Sequence, residues 1–193
     1  MNAPLVTPAS APIHTPRLLL RPYAPSDEAA FFALIDADRP RLSPAFPARV
    51  ASVQTLLDAQ RVLATFRQDW RTNRLYVFGI WHRETGRYLG DISLKPAWVA
   101  TVTAEIGYYL APEAEGQGYA REALAAAVAF GFHSALQAHR LDIRCRVDNP
   151  RSYAVAEHVG FRKLPVRPRL WPLRGAGAAE ILHYALYRVA AAQ

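Results

Sequence analysis

The apolar positions of this 193-residue chain change period several times, and each change predicts an element. "RLLLRPY" (17–23) is a short apolar run that predicts a strand. In "PSDEAAFFALI" after it, Phe31, Leu34 and Ile35 share one helical face, with Ser26 as the cap. From 52 to 70, Val53, Leu56, Leu57, Leu63 and Phe66 recur at helical spacing and predict a second helix. "LYVFGIWHRETGRYLGDISLK" (75–95) sets Glu84, Thr85 and Gly86 between two β-rich runs, the pattern of an antiparallel hairpin. A further strand, "TAEIGYYL" (103–110), leads past Pro112 into a long alanine-rich helix over 118–138. "RLDIRCRV" (140–147) alternates Leu141, Ile143, Cys145 and Val147 on one side, as a half-buried strand does. "SYAVAEHV" predicts a short helix, "GFRKL" a strand, and "EILHYALYRV" (180–189) the last strand.

The order is therefore strand, two helices, three strands, helix, strand, helix, two strands. Strand, helix, strand in the middle implies a parallel crossover, whereas the hairpin before it is antiparallel. The expected fold class is α/β in the broad sense (α+β): a mixed sheet with helices on both faces.

Composition narrows this picture. With 51% apolar residues and no composition break, the chain can bury one core, so a single domain over 15–193 is expected. The opening "MNAPLVTPASAPIHTP" has prolines at 4, 8, 12 and 16 and neither a basic start nor an apolar run, and 1–14 reads as a mobile leader rather than a signal peptide. No stretch reaches the ~20 apolar residues of a membrane span, so no membrane partner is expected and a cytoplasmic location is the default. One cysteine, Cys145, and scattered histidines offer no disulfide framework and no metal spacing. Cys145 itself reads as a small buried hydrophobe. The formal charge of +7 invites a nucleic-acid reading, but the densest basic group, Arg162, Lys163, Arg167, Arg169 and Arg174, lacks the aromatic interleaving of a strand-binding surface. A solvated basic surface suits this charge better, and a partner with a few phosphates would suit it just as well. Nothing in the pattern signals an oligomeric state.

The candidate chemistry begins at "EAEGQGYAREAL" (113–124). Gly116 and Gly118 stand where a helix must start, and no Ser, Thr, Asp or Asn is present at 114–120 to cap it. The first N–H groups of a helix lack intrahelical partners and carry its positive dipole end, so an external anion can supply the acceptor. Phosphate is the natural candidate, since glycine lets it approach the backbone closely. A dinucleotide fingerprint is excluded, because Arg121 stands where its third glycine belongs, and no Gly-Lys-Ser/Thr is present. A plain glycine turn would leave the same pattern.

"EIGYYLAPEAEGQGYAREAL" followed by "RVDNPRSYAVAEHVGFRK" resembles the acetyl-coenzyme A signature of the GNAT N-acetyltransferase superfamily, and most closely its RimJ/RimL-type branch of ribosomal-protein N-terminal acetyltransferases. The resemblance extends from residue 15 through Lys163 and is weakest between 40 and 75. It implies a GNAT-like splayed sheet, with acetyl-coenzyme A as cosubstrate entering between the strands at 103–110 and 140–147. It assigns Tyr108, Tyr109, Leu110, Gly116, Gln117, Gly118, Tyr119, Ala120, Arg121 and Asn149 to the cofactor. Backbone N–H groups around Tyr109 and Leu110 would meet the thioester and pantetheine carbonyls, and Asn149 the pantetheine. The superfamily loop reads Gln/Arg-x-x-Gly-x-Gly/Ala; Gly118 and Ala120 match, whereas Glu115 departs from its first position. A carboxylate there is repelled by pyrophosphate, so Glu115 is expected to point to solvent, with Gln117 and Arg121 taking over the phosphate contacts.

Acetyl transfer from a thioester needs an uncharged amine, a polarised carbonyl and a protonated leaving thiolate. Glu105, in the cofactor strand and on one face with Gly107 and Tyr109, is the candidate base, acting through a water; an exposed strand carboxylate is the plainer alternative. Many superfamily members carry an acidic tyrosine in the helix after the asparagine, at the position of Ala156 here. Ser152, one turn earlier, is where the RimJ/RimL branch carries its serine, and it is the candidate donor to the sulfur; it could also cap the 152–158 helix. The implied acceptor is a protein or peptide N-terminus, with a small amine, amino acid or antibiotic as alternatives. A non-catalytic acyl-coenzyme A-binding module is the reading from another class. The segments 38–50, 52–70 and 165–178 are the expected acceptor-binding parts, with Phe46 and Trp171 as candidate pocket walls.

Overall fold

The computed structural model describes residues 12–134, 136–165 and 180–189. Eight strands, β1 (Ile13–His14), β2 (Leu18–Arg21), β3 (Tyr76–His82), β4 (Tyr88–Ala97), β5 (Thr103–Leu110), β6 (Arg140–Arg146), β7 (Arg162–Lys163) and β8 (Ile181–Tyr187), form one sheet in the order β1-β2-β3-β4-β5-β6-β8-β7. All neighbours are antiparallel except β5 and β6, which are joined by the helical crossover the sequence order implies. The helices are α1 (Glu28–Ala37), α2 (Arg39–Leu42), α3 (Pro47–Ser52), α4 (Leu56–Arg71), α5 (Tyr119–His133) and α6 (Pro150–His158).

The period-two alternation of the strands divides the core between the two faces. On one face, Val77, Trp81 and Tyr109 pack with Phe31 and Ile35 of α1, Val50 of α3 and Leu63 and Phe66 of α4. On the other, Ile80, Ile92, Ile106 and Ile143 pack against the small residues Ala123 and Ala127 of α5 and Ala156 of α6. The mixed sheet with helices on both faces is thus present.

Several boundaries differ from the expectations for local reasons. Ser26 does not cap α1: the Asp27 carboxylate accepts from the Ala24 N–H and both guanidinium nitrogens of Arg21, and Ser26 lies inside a 3-10 turn. The helix expected over 52–70 starts only at Leu56, because Thr55 and Asp58 form a capping box there, and Ser52 is the last residue of α3. The segment 38–50, one of the expected acceptor-binding parts, contains α2 and most of α3. α5 stops at His133 rather than 138; Ser134 Oγ accepts from the Leu136 N–H and Gln137 turns to φ 41°. The expected leader overlaps the sheet, since Ile13 and His14 pair with Leu20 and Leu19 as β1. Arg167, Arg169, Trp171 and Arg174 lie outside the described residues.

One carboxylate ties the first strands to the head of α5. Glu122 accepts from Thr15 Oγ1 at 2.6 Å and from the Arg17 backbone N–H and Nε, each at 2.8 Å. Arg17 also donates to the Gln117 carbonyl at 2.8 Å and lies 4.6 Å over the Tyr119 ring, so it braces the glycine loop from beneath. Burial pushes the Glu122 carboxyl up, but these donors outweigh it and hold the group below its ordinary value. A group with a depressed folded-state pKa stabilises above its unfolded value and loses that contribution as pH falls. Glu122→Ala should therefore lose about 1–3 kcal/mol in urea unfolding at pH 7, and its deficit should shrink as pH drops below about 4.

Candidate active site

β5 is paired on both edges for only half its length. Thr103 to Ile106 pair with Arg140 to Ile143 of β6, after which β5 follows β4 to Leu110 while β6 follows β8 to Arg146. The two strands part, and a cavity of about 980 Å³ passes between them. The Ala111 N–H donates to Leu89 of the β3–β4 hairpin, so with a period of two the backbone of Tyr109 faces β4 and that of Tyr108 and Leu110 faces the gap. Tyr109, grouped with Leu110 as a backbone donor to the cofactor, thus presents its side chain and not its N–H to this region.

The cavity ends at the glycine loop. Gly118 is the residue before α5, at φ 81° and with no side-chain cap, and Gly116 lies at φ 75°. Both are left-handed conformations that glycine adopts without strain. None of the N–H groups from Gly116 to Arg121 has an acceptor among the described residues. A Cβ on Gly116 would meet nothing within 4 Å, and one on Gly118 only Arg17 Nη2 at 3.4 Å. An open cradle of unpaired donors at a helix dipole's positive end fits a phosphate group.

The side chains around this loop depart from expectation. Glu115 does not point to solvent: Arg41 of α2 donates to one oxygen at 2.6 Å and Arg151 of α6 to the other at 2.8 Å. Its charge is met by cations distant in sequence, which no reading of the loop alone could supply. Gln117 turns away from the cavity, its amide donating to the Glu113 carbonyl at 2.7 Å. Arg121 lines the cavity, and Tyr119 contributes there by its position while its ring packs under Arg17.

Beyond the loop, the cavity touches both faces of the sheet. On the α6 side, Ser152 Oγ lies 3.3 Å from the Tyr108 hydroxyl and 3.5 Å from Cys145 Sγ, and Tyr108 donates to the Ser152 carbonyl at 2.8 Å. Asn149, not Ser152, caps α6, its side-chain oxygen accepting from the Ser152 N–H. Burial raises the Tyr108 hydroxyl and the Cys145 thiol, against an opposing hydrogen bond with Ser152 in each case, so both hold their protons. On the opposite side, Glu105 is half-exposed and one of its oxygens takes both Nε (2.8 Å) and Nη2 (2.7 Å) of Arg144. Phe46 packs edge-on against Tyr109 with ring centroids 5.2 Å apart and walls this side of the cavity. Among the described residues no group of His, Cys, Asp and Glu could hold a metal ion, and no helix is long and apolar enough to cross a membrane.

Residues 17–162 match the family described as the acetyltransferase (GNAT) domain. The chain belongs to this family. Among relatives, it is 28% identical to the uncharacterized N-acetyltransferase YoaA of Bacillus subtilis over 151 residues, covering 78% of this chain and 82% of that one. It is 41% identical to the ribosomal-protein-serine acetyltransferase of Escherichia coli over 73 residues, 38% of this chain and 40% of that one. The structure of Mycobacterium smegmatis RimJ in complex with a coenzyme A disulfide superposes with a TM-score of 0.75 at 28% identity, covering 92% of this chain and 86% of that one.

One polar cluster of this GNAT domain was missed by sequence reasoning. Asp91, 1% exposed in β4, accepts from Tyr109 at 2.9 Å, from Tyr23 at 3.1 Å and from Arg49 of α3 at 2.5 Å. Arg49 also lies 4.5 Å over the Phe66 ring, and Tyr23 shares a short 2.6 Å hydrogen bond with Tyr88. This fixes α3, and with it the Phe46 wall, against the sheet. The available signal was the lone acid inside the apolar run "YLGDISL", which a buried position permits only if it is paired. Asp91→Ala would leave the Arg49 charge buried without its partner and should cost about 3–5 kcal/mol in chemical unfolding.

Proposed function

We propose that this chain transfers the acetyl group of acetyl-coenzyme A to a primary amine, that the amine is a protein N-terminal α-amine, and that it attacks directly in a ternary complex in the cytoplasm. One observation carries the reading: a continuous cavity joins the unpaired N–H groups before α5, through the gap between β5 and β6, to Glu105 and Phe46 on the other face. The acetyl transfer for which the Escherichia coli relative is named and the coenzyme A ligand of Mycobacterium smegmatis RimJ support the same reading.

The bound cosubstrate supplies an electrophilic thioester carbonyl and a thiolate leaving group. The chain supplies the rest. N–H groups from Gly116 to Arg121 hold the pyrophosphate, and the gap-facing backbone of Tyr108 and Leu110 runs beside the pantetheine with Asn149. Ser152 donates to the sulfur as charge develops, from the α6 side. Glu105, through a water, takes the proton of the amine that enters past Phe46 on the opposite side. An α-amine titrates near ~8 and a lysine near ~10.4, so a carboxylate already engaged by Arg144 suits the α-amine better. Cys145 takes no part as an acyl carrier, because burial keeps its thiol protonated.

Calorimetric titration with acetyl-coenzyme A should give binding to the wild type and none to Gly118→Trp, with melting curves to check that the variant folds. Absence of wild-type binding would end this reading. In an acceptor screen, peptide N-termini should turn over faster than lysine side chains or small amines. Ser152→Ala should then lower kcat by about ten- to a hundredfold with little change in the KM for acetyl-coenzyme A.

A further inference from the structure

The departure at position 115 leaves two cations around a carboxylate at the mouth of the cavity. Glu115 Oε1 accepts from Arg41 Nη1 at 2.6 Å and Oε2 from Arg151 Nη1 at 2.8 Å, and all three residues line the cavity. They come from three elements: α2 on the Phe46 side, the glycine loop, and the first turn of α6. Arg41 also pairs with Asp38 and donates to the Leu110 carbonyl at 2.6 Å, on the edge of β5 that β6 has left. Arg151 is 84% exposed with Glu115 as its one partner among the described residues.

Ion pairs at this exposure contribute little net stability, so they exchange readily for a better anion. A pyrophosphate or a phosphate monoester is a better anion than a carboxylate: it carries more charge and more terminal oxygens, in the geometry a guanidinium fork recognises. The adjoining N–H groups of the glycine loop leave room for one beside these arginines. Taking the acetyl-coenzyme A reading as its basis, we infer that Arg41 and Arg151 are phosphate-binding side chains for the cofactor, and that Glu115 is an internal anion that holds them at the mouth until a phosphate displaces it. The glutamate thus works against binding at equilibrium while keeping both guanidinium groups in position. Drawing Arg41 to phosphate also frees the Leu110 carbonyl, on the open edge of β5, to accept from an amide N–H.

The test is calorimetric titration of coenzyme A itself, a binding readout that needs no turnover, into the wild type, Arg41→Gln, Arg151→Gln, Glu115→Gln and the double variant Glu115→Gln/Arg151→Gln, each checked for wild-type melting. Each arginine variant should weaken Kd about tenfold, and Glu115→Gln should tighten it severalfold. In the Glu115→Gln background the Arg151→Gln loss should persist, since the guanidinium acts on the ligand and not merely on the glutamate. Unchanged affinity in both arginine variants, a loss that vanishes in that background, or weaker binding by Glu115→Gln would overturn the inference while leaving the cofactor reading intact. A wild type that binds no coenzyme A would remove both. Titration with 3′-dephospho-coenzyme A tells the phosphates apart: an arginine effect that disappears points to the 3′-phosphate, and one that remains points to the pyrophosphate, and either outcome supports the inference.

Discussion

The parting of β5 from β6 is the constraint on which the rest of the molecule depends. Up to Ile106 the two strands satisfy each other's backbone; beyond it, β5 keeps only β4 and β6 keeps only β8. A buried strand edge with free N–H and C=O groups is costly unless something pairs with it. Here the Leu110 carbonyl has recruited Arg41, and the remaining edge opens onto the cavity. The same split lets one cavity touch both faces of the sheet, with Glu105 and Phe46 on one side and Ser152 and Cys145 on the other. An unbroken parallel ladder would wall these two sets of groups apart.

The loop before α5 carries a second departure from self-sufficiency. Its N–H groups have no protein acceptor among the described residues, yet it is held firmly from beneath by Arg17, which is itself fixed by Glu122. Rigid support under an unsatisfied surface is preorganisation: little ordering remains to be done when an anion arrives. Around the rim the charges are balanced but not buried, with Glu115 held by two arginines. The deeper charges are arranged differently. Asp91 is buried and Arg49 nearly so, with tyrosine hydroxyls about them, and they anchor α3 beside the cavity instead of facing it. Burial works against the Arg49 charge, but Asp91 outweighs it and keeps the guanidinium protonated.

Much of the fold was legible in the pattern of residues. The strand at 103–110 has the expected boundaries, the hairpin turns at Glu84 to Gly86, and the parallel crossover between β5 and β6 follows from the order of elements. Errors gathered where a side chain reaches back to the backbone over a few residues: Asp27 displaced Ser26 at the head of α1, and Thr55 with Asp58 moved the start of α4 to Leu56. Such competition is local, but it is decided by which of several short polar residues finds its donor, and periodicity is blind to that. At the candidate site, the cavity wall includes Glu105, Ser152, Tyr108, Asn149 and both loop glycines, whereas Gln117 turns aside and Tyr109 turns its backbone to β4. The surroundings of Glu115 could not be read at all, because Arg41 and Arg151 stand 74 and 36 residues away.

By itself the sequence determined what local chemistry determines: the alternation that makes the strands, the two left-handed glycine positions, and a helix start without a cap. These depend on neighbours within a turn or two. Only the tertiary structure decided where the strands part, which cations meet Glu115, and that Asp91 and Arg49 share a buried site, because each requires two segments far apart in the chain to exclude water at the same place.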